Sequence, residues 1–368
     1  MSDDLTAAAL VTELVGDRAD GWDREGRIPT EVIRELGAKG LLCAEVPARL
    51  GGLGLTSLQN GEFTAHVGSL CSSLRSLLTS QGMAAWAIQR FGSKEQQVHY
   101  LSRLTSGEVV GIAFSEPGAG SDLFAMSTEI RVEGDSVVLE GTKVWVTGAA
   151  YADLLVVIGR FGDGAAAAIV PADAPGVTVE RVSNPMGCRA AGHAGVHLAA
   201  VRLPVDALLR GAGQPLSMLV TSALTYGRVS VAWGCAGILR ACLTAAARHA
   251  KSRRQFGKPL AEHQLIGRHL AELLVAEQVT TRVCEHASRC WDSGSPEMIT
   301  AAVVAKHVSA GHAARSASTA VQVLASAGAS DGHVVARAYR DAKLMEIIEG
   351  SSEICQLMLA EHALAVAS

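Results

Sequence analysis

The sequence predicts a mainly α-helical chain with a central antiparallel β domain. Apolar residues recur at helical spacing up to about Leu104. They give way to short β-branched runs between about Glu108 and Leu209, and helical spacing returns from Pro215 onward. Aromatic residues make only 4% of the 368 residues while alanine abounds, as suits helices that pack closely. The expected division is a helical domain at 1–107, a β-barrel or sandwich domain at 108–210 and a four-helix bundle at 211–368.

In the first third, Val32, Ile33, Leu36 and Leu41 follow Pro29-Thr30, a helix start. Ser93 to Gln96 reads as a cap with its first turn, leading through Val98 to Leu101 and Leu104. Pro47 to Leu55 is glycine-rich and reads as a connecting loop. The strands expected in the middle third are Val109–Phe114, Ser136–Leu139, Lys143–Thr147, Leu154–Ile158 and Ala167–Val170. No helical stretch separates them, which argues for antiparallel pairing. In the last third, helices are expected over Leu216–Lys251, Glu262–Trp291, Glu297–Gly328 and Glu353–Ala367. Long consecutive helices with short joints argue for an up-down bundle.

Composition excludes several classes of function. With 49% hydrophobic and 18% charged residues, the chain is not a disordered or solvating one. A net charge of −4 offers no bulk basicity for nucleic acid or an anionic membrane. The acidic start, Ser2-Asp3-Asp4, is not a secretory signal, and no apolar run reaches the ~18 residues of a membrane span. The eight cysteines form no CxxC pair, and no histidine cluster has zinc spacing. They read as buried reduced thiols in a cytoplasmic protein without a metal.

Four segments can carry chemistry. Phe114-Ser115-Glu116-Pro117-Gly118-Ala119-Gly120-Ser121 leaves a strand; its glycines let backbone N–H groups converge on a ligand, although an ordinary turn has the same composition. In Lys143-Val144-Trp145-Val146-Thr147, strand alternation puts Trp145 and Thr147 on one face. A ring and a hydroxyl there could stack on a flat cofactor and bond its heteroatom, or form a core Trp and a surface Thr. Lys251-Ser252-Arg253-Arg254-Gln255-Phe256-Gly257-Lys258, followed by His263-Gln264, sets cations around one ring, for a diphosphate or for a solvated helix end. Finally, Glu349 lies between Ile347-Ile348 and Gly350. Apolar neighbours raise a carboxylate toward neutrality, as a general base requires. The alternative is a residue that merely precedes the N-cap Ser351, and Glu346 and Glu353 are rival carboxylates.

In this order the four segments resemble the acyl-CoA dehydrogenase superfamily over nearly the whole chain. The resemblance implies that fold, with FAD held between the β domain and the C-terminal bundle. Phe114, Ser115 and Ser121 would line the flavin and the thioester end of the substrate. Trp145 would cover the flavin face, and Thr147 would bond near N5. Arg253, Phe256, Gln264 and Gln322 would reach the FAD of a neighbouring subunit, so a homodimer or tetramer is implied. Ser351 and Glu353 sit where the family again touches FAD. Glu349 matches the catalytic base, and Thr225, Arg228, Ser121 and Gly350 match substrate positions. Some members carry the base directly before the arginine matching Arg228; here that residue is Gly227. Three departures stand out: Thr225 for aspartate, Ala325-Ser326 for Gly-Gly, and Ser115 for threonine.

The implied reaction oxidises an acyl thioester, the carboxylate taking the α proton and flavin the hydride. The short, Ala- and Gly-rich chain is similar to the dehydrogenases of polyketide hydroxymalonyl and methoxymalonyl extender-unit pathways, which act on a small acyl group on an acyl carrier protein. Arg248, Lys251, Arg254 and Lys258 would form the docking patch for that acidic partner. The alternatives are a short-chain acyl-CoA dehydrogenase of general metabolism, an oxygen-using oxidase or monooxygenase on the same fold, and a partner-binding descendant without FAD.

Overall fold

The computed structural model describes residues 2–367. The N-terminal part holds α1 (Ser2–Val15), α2 (Ala19–Glu25), α3 (Thr30–Ala38), α4 (Ser57–Leu70), α5 (Ser72–Phe91) and α6 (Lys94–Thr105). The Ser93 start of α6 is a full capping box: Ser93 Oγ accepts from the Gln96 N–H, and the Gln96 side chain accepts from the Ser93 N–H. The Pro47–Leu55 connection contains a short 3₁₀ turn, Ala48–Leu50.

The strands are β1 (Val110–Ala113), β2 (Glu129–Glu133), β3 (Ser136–Val146), β4 (Leu154–Phe161), β5 (Gly164–Pro171), β6 (Val177–Arg181) and β7 (Ala194–Pro204). They form one sheet in the order β1-β4-β2-β3-β7-β6, with β5 also on β4. The sheet is mixed, which corrects the antiparallel expectation. β1 pairs parallel to β4, from Val110 opposite Leu154 to Ala113 opposite Val157, and β2 touches the end of β4 in parallel. A parallel pair needs a long crossover rather than specifically a helix; here the Ser115–Asp122 corner and the β2–β3 hairpin supply it. β4 is apolar on both faces: Leu154, Val156 and Ile158 join the core shared with α5 and α6, while Leu155 and Val157 join the core within the sheet.

The C-terminal part holds α7 (Leu216–Ser252), a small hairpin of β8 (Arg254–Gln255) and β9 (Lys258–Pro259), α8 (Gln264–Asp292), α9 (Met298–Leu324), α10 (Val334–Met345) and α11 (Ser352–Val366). α10 has no counterpart among the expected helices. α7 packs against α4, α5, α8, α9 and α10. By length and composition α7 could cross a membrane, contrary to the expectation that no run would, but 72% of its most apolar window is buried within the fold. It is the central core helix, with Trp233 fully buried and its indole N–H on Ser288 Oγ at 2.9 Å.

Candidate functional site

The site is built on the turn between α10 and α11. Glu349 and Gly350 both have left-handed backbones, φ 57° and 93°. That conformation is unfavourable for a glutamate and has to be held from outside. Two buried cations hold it: Arg228 Nε donates to the Glu349 carbonyl at 3.0 Å, and Lys306 Nζ donates to the Gly350 carbonyl at 2.5 Å. Ser351 Oγ caps α11 by accepting from the Ile354 N–H. The backbone N–H of Glu349 meets no acceptor among the described residues.

The strained turn aims the Glu349 side chain at the seam between α5 and α7. A Cβ added to Gly227 would lie 2.5 Å from Glu349 Oε2 and 2.8 Å from Met83 Sδ. The carboxylate therefore occupies the space that glycine leaves. The residue as a whole is partly exposed, but Oε2 is shielded and has no hydrogen-bond partner. Burial pushes this carboxyl up to about 7, against the opposing pull of Arg228, Lys306 and Arg75. Its rivals differ: Glu346 is paired with Lys343 at 3.0 Å, and Glu353 lies exposed in the first turn of α11.

A second group of predicted residues lies at the end of β3. Trp145 has φ 56°, and the β3–β7 register slips between Lys143 and Val146. This bulge breaks the strict alternation expected for Trp145 and Thr147. The two residues still share one site, through a residue the sequence reading missed. His193 sets its ring 5.8 Å from the half-exposed Trp145 indole, and its Nδ1 lies 3.2 Å from Thr147 Oγ1. Its Nε2 is buried without a partner. Burial, with Arg75 and Arg181 nearby, pulls this imidazole down to about 4, so it is neutral at pH 7.

The Phe114–Ser121 corner is pinned by a second feature not anticipated. Glu116 is buried, pairs with buried Lys143 at 2.7 Å and accepts from the Ser127 and Thr128 N–H groups. Burial opposes its ionisation, but these bonds hold it down at about 2. Lys143 Nζ also reaches the Phe114 carbonyl, and the Ser115 carbonyl accepts from the Val144 N–H. The corner is thus tied to β3 while Ser121 stays exposed. Thr225 is buried and bonds back to the Thr221 carbonyl within α7.

The remaining predicted residues lie elsewhere. Arg253, Phe256, Gln264 and Gln322 are exposed, and no contact among the described residues joins them to Glu349, Trp145 or His193. Phe256 is 94% exposed at the tip of the β8–β9 hairpin, with φ 52°. Ala325 ends α9 at φ 53°, ψ −133°, a conformation suited to glycine. In the basic segment, Arg254 bonds the Gly257 carbonyl and Lys258 the Glu262 carbonyl, while Arg248 and Lys251 are exposed. Outside this site, His286, Cys290 and Glu297 bring donor atoms within 4.8 Å of one another.

Comparison with known proteins adds the following. Residues 5–108, 111–201 and 218–364 match the N-terminal, middle and C-terminal domains of acyl-CoA dehydrogenase. Human mitochondrial short-chain specific acyl-CoA dehydrogenase is 34% identical over 349 residues, covering 93% of this chain and 84% of that protein. The solved structure of FkbI, for biosynthesis of the methoxymalonyl extender unit of the Fk520 polyketide, is 61% identical with a TM-score of 0.94, over 97% of this chain and 99% of that one. A glutaryl-CoA dehydrogenase from Mycobacterium smegmatis in complex with FADH2 is 28% identical with a TM-score of 0.92, over 99% and 95%.

Proposed function

The chain belongs to the acyl-CoA dehydrogenase family, and on that footing we propose that it is an FAD-dependent dehydrogenase of a small acyl group carried as a thioester on an acyl carrier protein, in polyketide extender-unit biosynthesis. The single observation that carries the catalytic part is the shielded, unpartnered Glu349 carboxylate on its strained turn. The likeness to FkbI at 61% identity supports the place in extender-unit biosynthesis.

The residues present suit an FAD. An exposed indole at Trp145, the Thr147 hydroxyl and the orphaned His193 Nε2 offer a stacking face and polar contacts for a flavin ring. When bound, FAD supplies the acceptor of the substrate hydride. The chain supplies position and proton transfer. Glu349 takes the α proton of the thioester, which is weakly acidic, and a carboxyl raised to about 7 is matched to that task near neutral pH. The charge that develops on the thioester oxygen needs a donor, and the free Glu349 N–H is available to it. Arg228 holds the turn through the same residue's carbonyl, so proton acceptor and oxygen donor are fixed together.

Arg253, Phe256, Gln264 and Gln322 are exposed, and we assign them to the FAD of a neighbouring copy in a homo-oligomer. Exposed Phe256, Leu265, Val275 and Leu364 on the bundle surface support that assembly. We assign the protein to the cytoplasm, in keeping with eight free cysteines. The test is anaerobic addition of one small acyl thioester, on a carrier protein and on CoA, to the flavin-loaded protein. Bleaching of the flavin by the carrier-borne form at a higher rate supports the proposal. Equal rates remove carrier recognition, and bleaching by neither removes the dehydrogenase reading.

A further inference from the structure

Three metal-type donors meet at the joint between α8 and α9. His286 and Cys290 lie four residues apart in the last two turns of α8, so they share one helix face. Cys290 Sγ and His286 Nε2 are 3.7 Å apart. The chain then turns sharply: the Ser295 N–H donates to the Cys290 carbonyl at 2.9 Å, and Gly294 takes φ 62°. That turn brings Glu297, at the N-cap position of α9, back to the end of α8. One donor atom from each of the three residues lies within 4.8 Å of the other two.

These groups are not spent elsewhere. The Glu297 side chain makes no cap bond to α9, and no described cation pairs with it; Arg282 and Arg289 turn to Glu285 instead. Among the described residues, the thiol and the imidazole have only each other as side-chain partners. Cys290 is 7% exposed, against 2% or less for the other seven cysteines, while His286 and Glu297 are exposed. A metal ion can therefore arrive from solvent. A thiolate, an imidazole and a carboxylate together form a donor set for zinc. With about 2.3 Å to sulfur and about 2.0 Å to nitrogen at the tetrahedral angle, sulfur and nitrogen around one zinc stand about 3.5 Å apart. The observed 3.7 Å is already close to that edge. The third ligand is the exposed carboxylate, which has freedom to close the remaining gap.

We propose that His286, Cys290 and Glu297 bind one zinc ion, with water in the fourth position, as a clip across the α8–α9 joint. This site is separate from the proposed dehydrogenase centre and revises the expectation of a protein without a metal. The spacing from Cys290 to Glu297 gave no zinc pattern because the third donor arrives only through the turn. As the S–Zn bond forms, the thiol proton leaves to solvent, so binding tightens as pH rises. The clip fixes the last turn of α8. There the Asp292 carboxylate accepts from the Ser57 and Leu58 N–H groups of α4 at 2.7 and 3.3 Å. The metal thus braces the corner where the C-terminal bundle meets the N-terminal helices.

The test titrates zinc chloride into chelator-stripped, flavin-loaded protein, in the parent and in Cys290→Ser, His286→Gln and Glu297→Gln. Calorimetry is expected to show one zinc per chain, and the thermal midpoint should rise with zinc concentration. Alkylation of Cys290 by iodoacetamide, read by mass spectrometry, should slow about tenfold or more once zinc is bound. Cobalt(II) in place of zinc should give a thiolate-to-metal absorption band, seen as a difference from the metal-free flavoprotein and absent in Cys290→Ser. Cys290→Ser and His286→Gln should abolish saturable binding, and Glu297→Gln should weaken it. His286→Gln alters an exposed side chain, so the test stands even where Cys290→Ser disturbs the fold. Alkylation of Cys290 that zinc does not slow overturns the site. So does zinc binding that survives either Cys290→Ser or His286→Gln at parental affinity.

Discussion

Gly227 leaves the space that the Glu349 carboxylate fills, so Gly227→Ala tests the placement of the proposed base directly. The new methyl would stand 2.5 Å from Oε2 and 2.7 Å from Cδ of Glu349, where ordinary contact begins at 3.4 Å. The carboxylate must recoil by roughly 1 Å, and a misplacement of about that size costs on the order of 10²-fold in rate. The displaced atoms are the free end of a flexible side chain and Met83 Sδ, so the fold is little disturbed. Within a helix, alanine is also favoured over glycine by about 1 kcal/mol. The variant should keep its FAD and its thermal midpoint while its anaerobic flavin reduction by a small acyl thioester slows about a hundredfold. An unchanged rate would refute the claim that Glu349 works from this position. A loss of folding would refute the claim that the space serves the carboxylate and not the packing of α5 on α7.

Other consequences are structural. Lys143→Met strands Glu116 as a buried carboxylate and should cost about 3–5 kcal/mol, read as a lower urea midpoint. Because Glu116 is held down at about 2, well below its ordinary 4.5, its contribution is full above about pH 4.5 and is lost as the pH falls toward 2. The stability difference between Lys143→Met and the parent should narrow over that window. Ala325→Gly should relieve strain of about 1–3 kcal/mol at φ 53°, less the ~0.4–1 kcal/mol by which glycine loosens the unfolded chain, and so raise the thermal midpoint. A lower midpoint would mean that the Ala325 methyl packs usefully.

The sequence was most legible where pattern is local. The long helices of the C-terminal part, the Ser93 cap and the runs that became β1, β4 and β5 all follow from spacing between near neighbours. Glu349 was legible because two isoleucines and a glycine flank it, but its isolation in the structure comes from the seam at Gly227 and Met83, while Ile347 is exposed. Direction of pairing was not: nothing inside Val110–Ala113 says that its partner Leu154–Val157 runs parallel, since that depends on the path of the forty residues between. The bulge at Trp145 was hidden for a like reason, as it arises from register against β7. His193 gave no signal because its meaning is relational. A histidine after Ala-Ala-Gly looks ordinary until the fold sets it beside Trp145. Lys143 did offer a hint, as a lone cation inside an apolar strand, and only the corner's own Glu116 explains it.

The central claim is that Glu349 is the base of a flavin-linked thioester oxidation. It is tested most directly by the pH dependence of anaerobic flavin reduction, in the parent and in Glu349→Gln. The carboxyl is raised to about 7 by burial, and only its ionised form accepts a proton. The rate should therefore climb as pH rises through about 7 and level off above it. Glu349→Gln should retain FAD and bind the thioester, yet reduce the flavin at least about 10²-fold more slowly at every pH. A Glu349→Gln protein that bleaches at the parental rate, with the parental pH profile, would contradict the account.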